Sequence, residues 1–237
     1  MKIKKIFLFI TIFMLSVFLT IGSVNKSIST SEGEKVDKSL SSVNGSISVN
    51  RNCKVKGSIT NVNGSIRIEE NCEIGGTIRN VNGSIKISEE CKTDSISIVN
   101  GSIRIGKNTN VDGDIDSVNG SVSCYEGVVV NEDIETVNGS FKLSGTEVKG
   151  KLVTVNGRIT LRDGSRVKKD IIIKKSKKGF LDNLFNWKKR ELEITLKGKS
   201  VVEGDIINKD EERRVILFLE AGSTVKGKVI NVKIEKI

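Results

Sequence analysis

Val43-Asn44-Gly45-Ser46-Ile47 is repeated as Val62 to Ile66, Val81 to Ile85 and Val99 to Ile103. Variants follow at Val118 to Val122, Val137 to Phe141 and Val155 to Ile159. The seven valines are spaced 19, 19, 18, 19, 19 and 18 residues apart. A period this regular over more than a hundred residues means one supersecondary unit stacked on copies of itself. In Val81-Asn82-Gly83-Ser84-Ile85-Lys86-Ile87 alternate positions read Val, Gly, Ile, Ile. In Cys72 to Ile78 they read Cys, Ile, Gly, Ile. Both patterns fit strands with one buried face. Arg79-Asn80 and Ser88-Glu89-Glu90 break the alternation and are expected at corners. Helical repeats need about 33 residues or more, and nothing here has a 3.6-residue period. The expected fold is all-β: a single-stranded β-helix solenoid of about nine coils of 18–19 residues. Nine coils stacked at about 4.8 Å would make a rod roughly 40–45 Å long.

Stacking turns each sequence position into a column. The glycines (Gly45, Gly64, Gly83, Gly101, Gly120, Gly139, Gly157) are expected at a bend without room for a side chain, or with positive φ. The asparagines before them, Asn44 to Asn156, are expected to form an amide ladder. Cys53, Cys72 and Cys91 share a column that Thr109, Val128, Thr146 and Ser165 continue. Its small occupants argue for a tight inward corner and buried thiols. A disulfide between stacked coils also fits the allowed Cα separations. Cys124 falls at a core position with Ile68, Ile87 and Ile105. The acidic pairs Glu69-Glu70 and Glu89-Glu90 are expected to stack at one solvated corner. Arg67, Lys86 and Arg104 form a short outward basic row that also holds Ser48, Ser123, Lys142 and Thr160.

The 237 residues hold no histidine and no proline. The missing histidine excludes Ser-His-Asp and Cys-His catalysis, and the histidine-dependent acyltransferases built on hexapeptide β-helices. No paired carboxylates flank a long loop, so no catalytic residue, cofactor or metal ligand is expected. The net charge of +10 is local. Arg166 to Arg190 holds ten basic residues against two acids, and Lys2, Lys4 and Lys5 add three. The remainder is close to neutral.

Residues 1–23 combine a basic start with an apolar run from Ile6 to Ile21, the pattern of a signal peptide or of an uncleaved N-terminal anchor. In either case the body should lie outside the cytoplasm, secreted or anchored to the cytoplasmic membrane. Residues 24–42 are polar and read as a linker. Residues 43–237 read as the β-helix, interrupted at 174–190. That insertion centres on Phe180, Leu181, Leu184, Phe185 and Trp187, whose spacing gathers them on one helical face. Lys174, Lys175, Lys177 and Lys178 flank one end, and Lys188, Lys189 and Arg190 the other. Such an amphipathic helix suits a membrane surface or an anionic envelope polymer. It equally suits a helix folded back over the rod, or one that docks a protein. No nucleic-acid partner is expected.

The second arm of each coil carries Val-x-Gly-x-Ile. "CKVKGSI" (Cys53 to Ile59), "TNVDGDI" (Thr109 to Ile115), "SVVEGDI" (Ser200 to Ile206) and "STVKGKV" (Ser223 to Val229) resemble the repeats of bactofilins, the polymer-forming bacterial cytoskeletal proteins. The resemblance covers most of residues 43–237 and implies a right-handed β-helix that polymerises end to end without nucleotide. Bactofilins face the cytoplasm, whereas this N-terminus points outward. The Val-Asn-Gly-Ser-Ile repeat is also similar to adhesin-like bacterial surface β-helices. That similarity implies a rival role, a surface module that binds glycan or protein. The end-to-end reading places the self-association surface at the strand-like C-terminus, at Val232 and Ile234.

Overall fold

The structure is a computed structural model that describes residues 24–175 and 191–237. It is a parallel β-solenoid of about ten turns, with three short strands per turn and no helix among the described residues. The first face runs from Ile28–Ser29 to Lys233–Lys236 and holds eleven strands. The second runs from Lys35–Val36 to Thr224–Val225, and the third from Leu40–Asn44 to Val229–Ile230, with ten strands each. Every pairing is parallel and joins a residue to its counterpart one turn away: Ile66, Ile85 and Ile103 are successive partners. At about 4.8 Å per turn, ten turns span roughly 48 Å.

The core is a stack of aliphatic columns. Ile66, Ile85 and Ile103, with Ile68, Ile87 and Ile105, are fully or almost fully buried on the first face. Val55, Ile74 and Val111 fill it from the second, and Ile59, Ile78, Ile96 and Ile115 from the third. Residues with β-branched side chains suit a pleated surface buried on one side, and most turns supply them at the same four inward positions, as Ile66, Ile68, Ile74 and Ile78 do.

Four expectations need correction. Residues 24–42 are a turn of the solenoid and not a linker: Ile28, Val36 and Leu40 pair with Ile47, Val55 and Ile59. Their polar composition hid three inward apolar residues spaced like those of the later turns. Arg79-Asn80 is not a corner but lies inside the strand Ile78–Asn82. Asn80 points inward, 2% exposed, and its amide donates to the Gly64 carbonyl at 2.9 Å. Consequently Val43 and Val62 sit half-buried on the outer side of their strands, and Val81 stays outside the core cluster. The acidic pairs stack one residue out of register, Glu70 on Glu89. Ser88 donates its amide to Ile68 and Asn71 to Glu89, so Glu69-Glu70 aligns with Ser88-Glu89. The cause is their spacing of 20 residues against a period of 19.

Three corners close each turn. One precedes the cysteine column and uses left-handed residues: Asn52, Asn71, Glu90 and Asn108 have φ of 59°, 57°, 57° and 53°. Asparagine tolerates this conformation better than most residues. Another is the glycine column. Gly64, Gly83 and Gly101 have φ of 136°, 130° and 141°. A Cβ on Gly101 would lie 1.7 Å from the Gly83 carbonyl oxygen. The corner carbonyls are satisfied from inside: Ser42 donates to Lys26, Asn61 to Gly45, Ser117 to Gly120 and Thr136 to Gly139, at 2.8–3.0 Å. Buried backbone oxygens thus find partners where the ladder hydrogen bonds pause.

Candidate functional surfaces

The asparagine ladder forms as the repeat suggests and begins one turn earlier. Each side-chain amide donates to the carbonyl oxygen of the asparagine below: Asn44 to Asn25, Asn63 to Asn44, Asn82 to Asn63, Asn100 to Asn82, Asn119 to Asn100, Asn138 to Asn119 and Asn156 to Asn138, at 2.7–3.0 Å. The row is exposed, yet its donors and acceptors largely satisfy each other, so it acts as a structural spine. Lys174 pairs its backbone beside Val155, donating to Thr154 at 2.8 Å. Lys175 therefore takes the place of the next asparagine, and the ladder stops where the insertion leaves.

At that exit Lys174 forms an ion pair with Glu135, whose side chain is 4% exposed. Lys175 lies 3.5 Å from Glu212. Both lysines thus hold the insertion's root to the rod. The rest of the expected contact set (Lys177, Lys178, Phe180, Leu181, Leu184, Phe185, Trp187, Lys188, Lys189 and Arg190) lies outside the described residues. So does the apolar run from Ile6 to Ile21. Among the described residues no helix is long and apolar enough to cross a membrane.

All four cysteines are free and buried. The column Cys53, Cys72, Cys91, Thr109, Val128, Thr146, Ser165 continues through Ser200 and Ser223, and every member is buried. Its role is to occupy corner carbonyls: the Cys53, Cys72 and Cys91 thiols donate to Ser31, Asn50 and Glu69 at 3.0–3.1 Å, and the Thr109 hydroxyl donates to Ser88 at 3.0 Å. The neighbouring Cys72 thiol and burial push the Cys91 thiol up. Burial alone pushes Cys124 up to about 12. Among the described residues no group of three or more His, Cys, Asp or Glu could hold a metal ion.

The Cys124 shift carries a sign. Its folded pKa lies above the unfolded value of about 8.5, so the folded chain keeps a proton that the unfolded chain loses. This contribution is complete below about pH 8 and lost as pH rises toward 12. Cys124→Val, with a residue that fits the column of Ile87 and Ile105, should remove it. Urea unfolding at pH 8 and pH 10.5 checks this: the native chain should lose more stability between the two than the valine variant does.

The last turn is the most apolar exposed part of the rod. Val225, Val229 and Ile234 continue the three inward columns of Val202, Ile206 and Leu217. Val225 and Val229 are only partly buried, and Val232 packs against the core from the same turn. Ile230, Ile234 and Ile237 are 38%, 47% and 54% exposed. Among the described residues each strand of this turn has a neighbour on one side only.

No family model matches the chain, and neither a curated protein nor a solved structure is similar enough to it to be matched.

Proposed function

We propose that the chain is a non-enzymatic structural protein, a bactofilin-like β-solenoid that self-associates end to end into filaments or a scaffold at the bacterial envelope. The carrying observation is the turn at 223–237, where Val225, Val229 and Ile234 are only partly buried and, among the described residues, the strands are paired on one side only. Such an edge is a template for another strand, and an open core favours burial. A second copy supplies both, because its own first turn offers Ile28, Val36 and Leu40 in the same columns. In this reading the coil winds to the right, as parallel crossovers nearly always do. Residues 1–23 place the rod outside the cytoplasm. The apolar residues of the insertion and the lysines that flank them meet the membrane surface or an anionic envelope polymer in this reading.

The test is electron microscopy and sedimentation of the full chain in mild detergent. Val232→Lys with Ile234→Lys is expected to convert sedimenting filaments into single rods while β circular dichroism stays unchanged. Filaments that survive both substitutions would exclude end-to-end contact. A native chain that remains a monodisperse rod would exclude the scaffold.

A further inference from the structure

The outward side of the first face differs from the other two. On the second face bases pair with acids: Lys54 with Glu73 at 2.7 Å, Lys92 with Asp112 at 3.3 Å, Arg166 and Lys168 with Glu203 at 2.7 and 3.1 Å. On the first face Arg67, Lys86 and Arg104 are consecutive partners in register. Lys142 follows one turn beyond Ser123. All four are exposed, and none forms an ion pair among the described residues. Like charges on neighbouring strands, about 4.8 Å apart, repel and weaken a sheet. Like-charged register partners also occur as single pairs elsewhere, Lys35 with Lys54 and Asp116 with Glu135, but Lys54 is paired with Glu73 and Glu135 with Lys174, whereas the first face carries three bases in a row without an ion pair. Two carboxylates lie alongside the row: Glu69, two residues from Arg67, and Glu70, which Lys86 reaches electrostatically but which pairs with Arg51 at 2.7 Å.

Two further features share this face. A column of serines, Ser46, Ser65, Ser84, Ser102, Ser121 and Ser140, runs beside the bases, with Ser65 and Ser84 hydroxyls 3.1 Å apart. Tyr125, the only tyrosine of the chain, is 44% exposed. Its amide donates to Ile105, which aligns it with Gly106 at the turn where Ser123 interrupts the basic row. A straight line of cations, a parallel line of hydroxyls and one exposed aromatic ring form a recognisable set. Cations pair with regularly spaced anions, hydroxyls exchange hydrogen bonds with sugar hydroxyls, and an aromatic ring packs on the apolar side of a pyranose.

We propose that the first face, from Ser46 to Lys142, binds an anionic polysaccharide lying along the rod axis. The inference goes beyond the assembly reading and holds whether or not the rods join. A membrane would call for an apolar surface here, and this face offers no exposed aliphatic residue between Ser46 and Lys142. A polyphosphate would satisfy the cations but leave Tyr125 without a role.

The test measures binding of the full chain, in mild detergent, to polygalacturonate, inorganic polyphosphate and neutral dextran. The triple variant Arg67→Ser, Lys86→Ser, Arg104→Ser replaces each base with the residue found in the same column at Ser48 and Ser123. It should fold, with a melting temperature equal to or above that of the parent because repulsion is relieved. Its affinity for polygalacturonate should fall at least about tenfold, with most of the salt dependence. The charge-matched control Lys35→Ser, Lys54→Ser, Lys92→Ser, on the second face, should lose less than about twofold. Tyr125→Ser should weaken polygalacturonate and leave polyphosphate untouched. Equal losses in the two triple variants would show attraction by net charge or by the basic insertion, and would overturn the proposal. Absent binding to polygalacturonate would also overturn it, as would polyphosphate bound equally well with Tyr125→Ser inert toward both.

Discussion

Gly101→Ala is expected to unfold the centre of the rod. The new methyl carbon would lie 1.7 Å from the Gly83 carbonyl oxygen and 2.7 Å from its carbon, far inside van der Waals contact. The obstruction is backbone and cannot swing aside as a flexible side chain would. Retreat is blocked too, because the Gly101 carbonyl sits under Gly120, where a Cβ would come within 1.5 Å of it. The φ of +141° adds strain for any residue with a side chain. A loss of more than about 4 kcal/mol is expected, a size reserved for a few mechanisms of which backbone clash is one. Gly164→Ala is the matched control: φ is +76° but a Cβ there meets nothing within 4 Å. It should cost only about 1–2 kcal/mol, the left-handed penalty alone. Urea unfolding of both variants reads the difference. Equal costs would mean that turns slide apart freely at the glycine corner.

Ile85→Asp should be comparably damaging for an unrelated reason. Ile85 is fully buried between Ile66 and Ile103, with Ile87 on the same strand. The carboxylate would meet only aliphatic neighbours from the turns on either side. Burying it without a partner costs several kcal/mol, or forces it to stay protonated. Stability of the variant should therefore recover in part as pH falls through the raised carboxyl pKa toward the unfolded value of about 3.9, opposite to the usual acid weakening. Ile85→Val, which removes one methylene, should cost only about 0.5–1.5 kcal/mol. An aspartate variant with unchanged unfolding would contradict the placement of Ile85 in the core.

The repeat made the columns legible because a period of 19 forces equivalent residues into register. The glycine corner, the asparagine ladder, the cysteine column and the Ile66-Ile85-Ile103 stack all follow from it. Two things escaped. The turn has three strands and not two, because strands such as Glu73–Ile74 are too short for alternation to mark their limits. Apart from Ile98, the inward column Ser42, Asn61, Asn80, Ser117, Thr136 is polar and looks like loop sequence. Only the geometry shows that these side chains serve the glycine-corner carbonyls. Polarity likewise disguised the turn at 24–42. On the surface, the basic row was visible as letters, but its isolation was not. Whether a lysine faces a carboxylate depends on which turn lies above it, as the 3.3 Å pair of Lys92 with Asp112 illustrates.

The parallel register also sets how the chain can fold. Residues pair with partners about 19 positions away from one end of the rod to the other, as Ile28 does with Ile47 and Val122 with Phe141. The gap widens at the insertion, from Ile159 to Ile194, and slightly in the turn after it, from Leu192 to Val215. Contact order therefore does not grow as turns are added, unlike in most β proteins, whose distant pairings make them slow. Closing the 35-residue gap costs only about 0.5 kcal/mol more than closing a 19-residue one, because loop entropy rises logarithmically. A chain leaving the ribosome can lay each turn on the last as soon as one more period has emerged. The strands would then never wait unpaired for a distant partner, which limits the exposure that leads parallel sheets to aggregate.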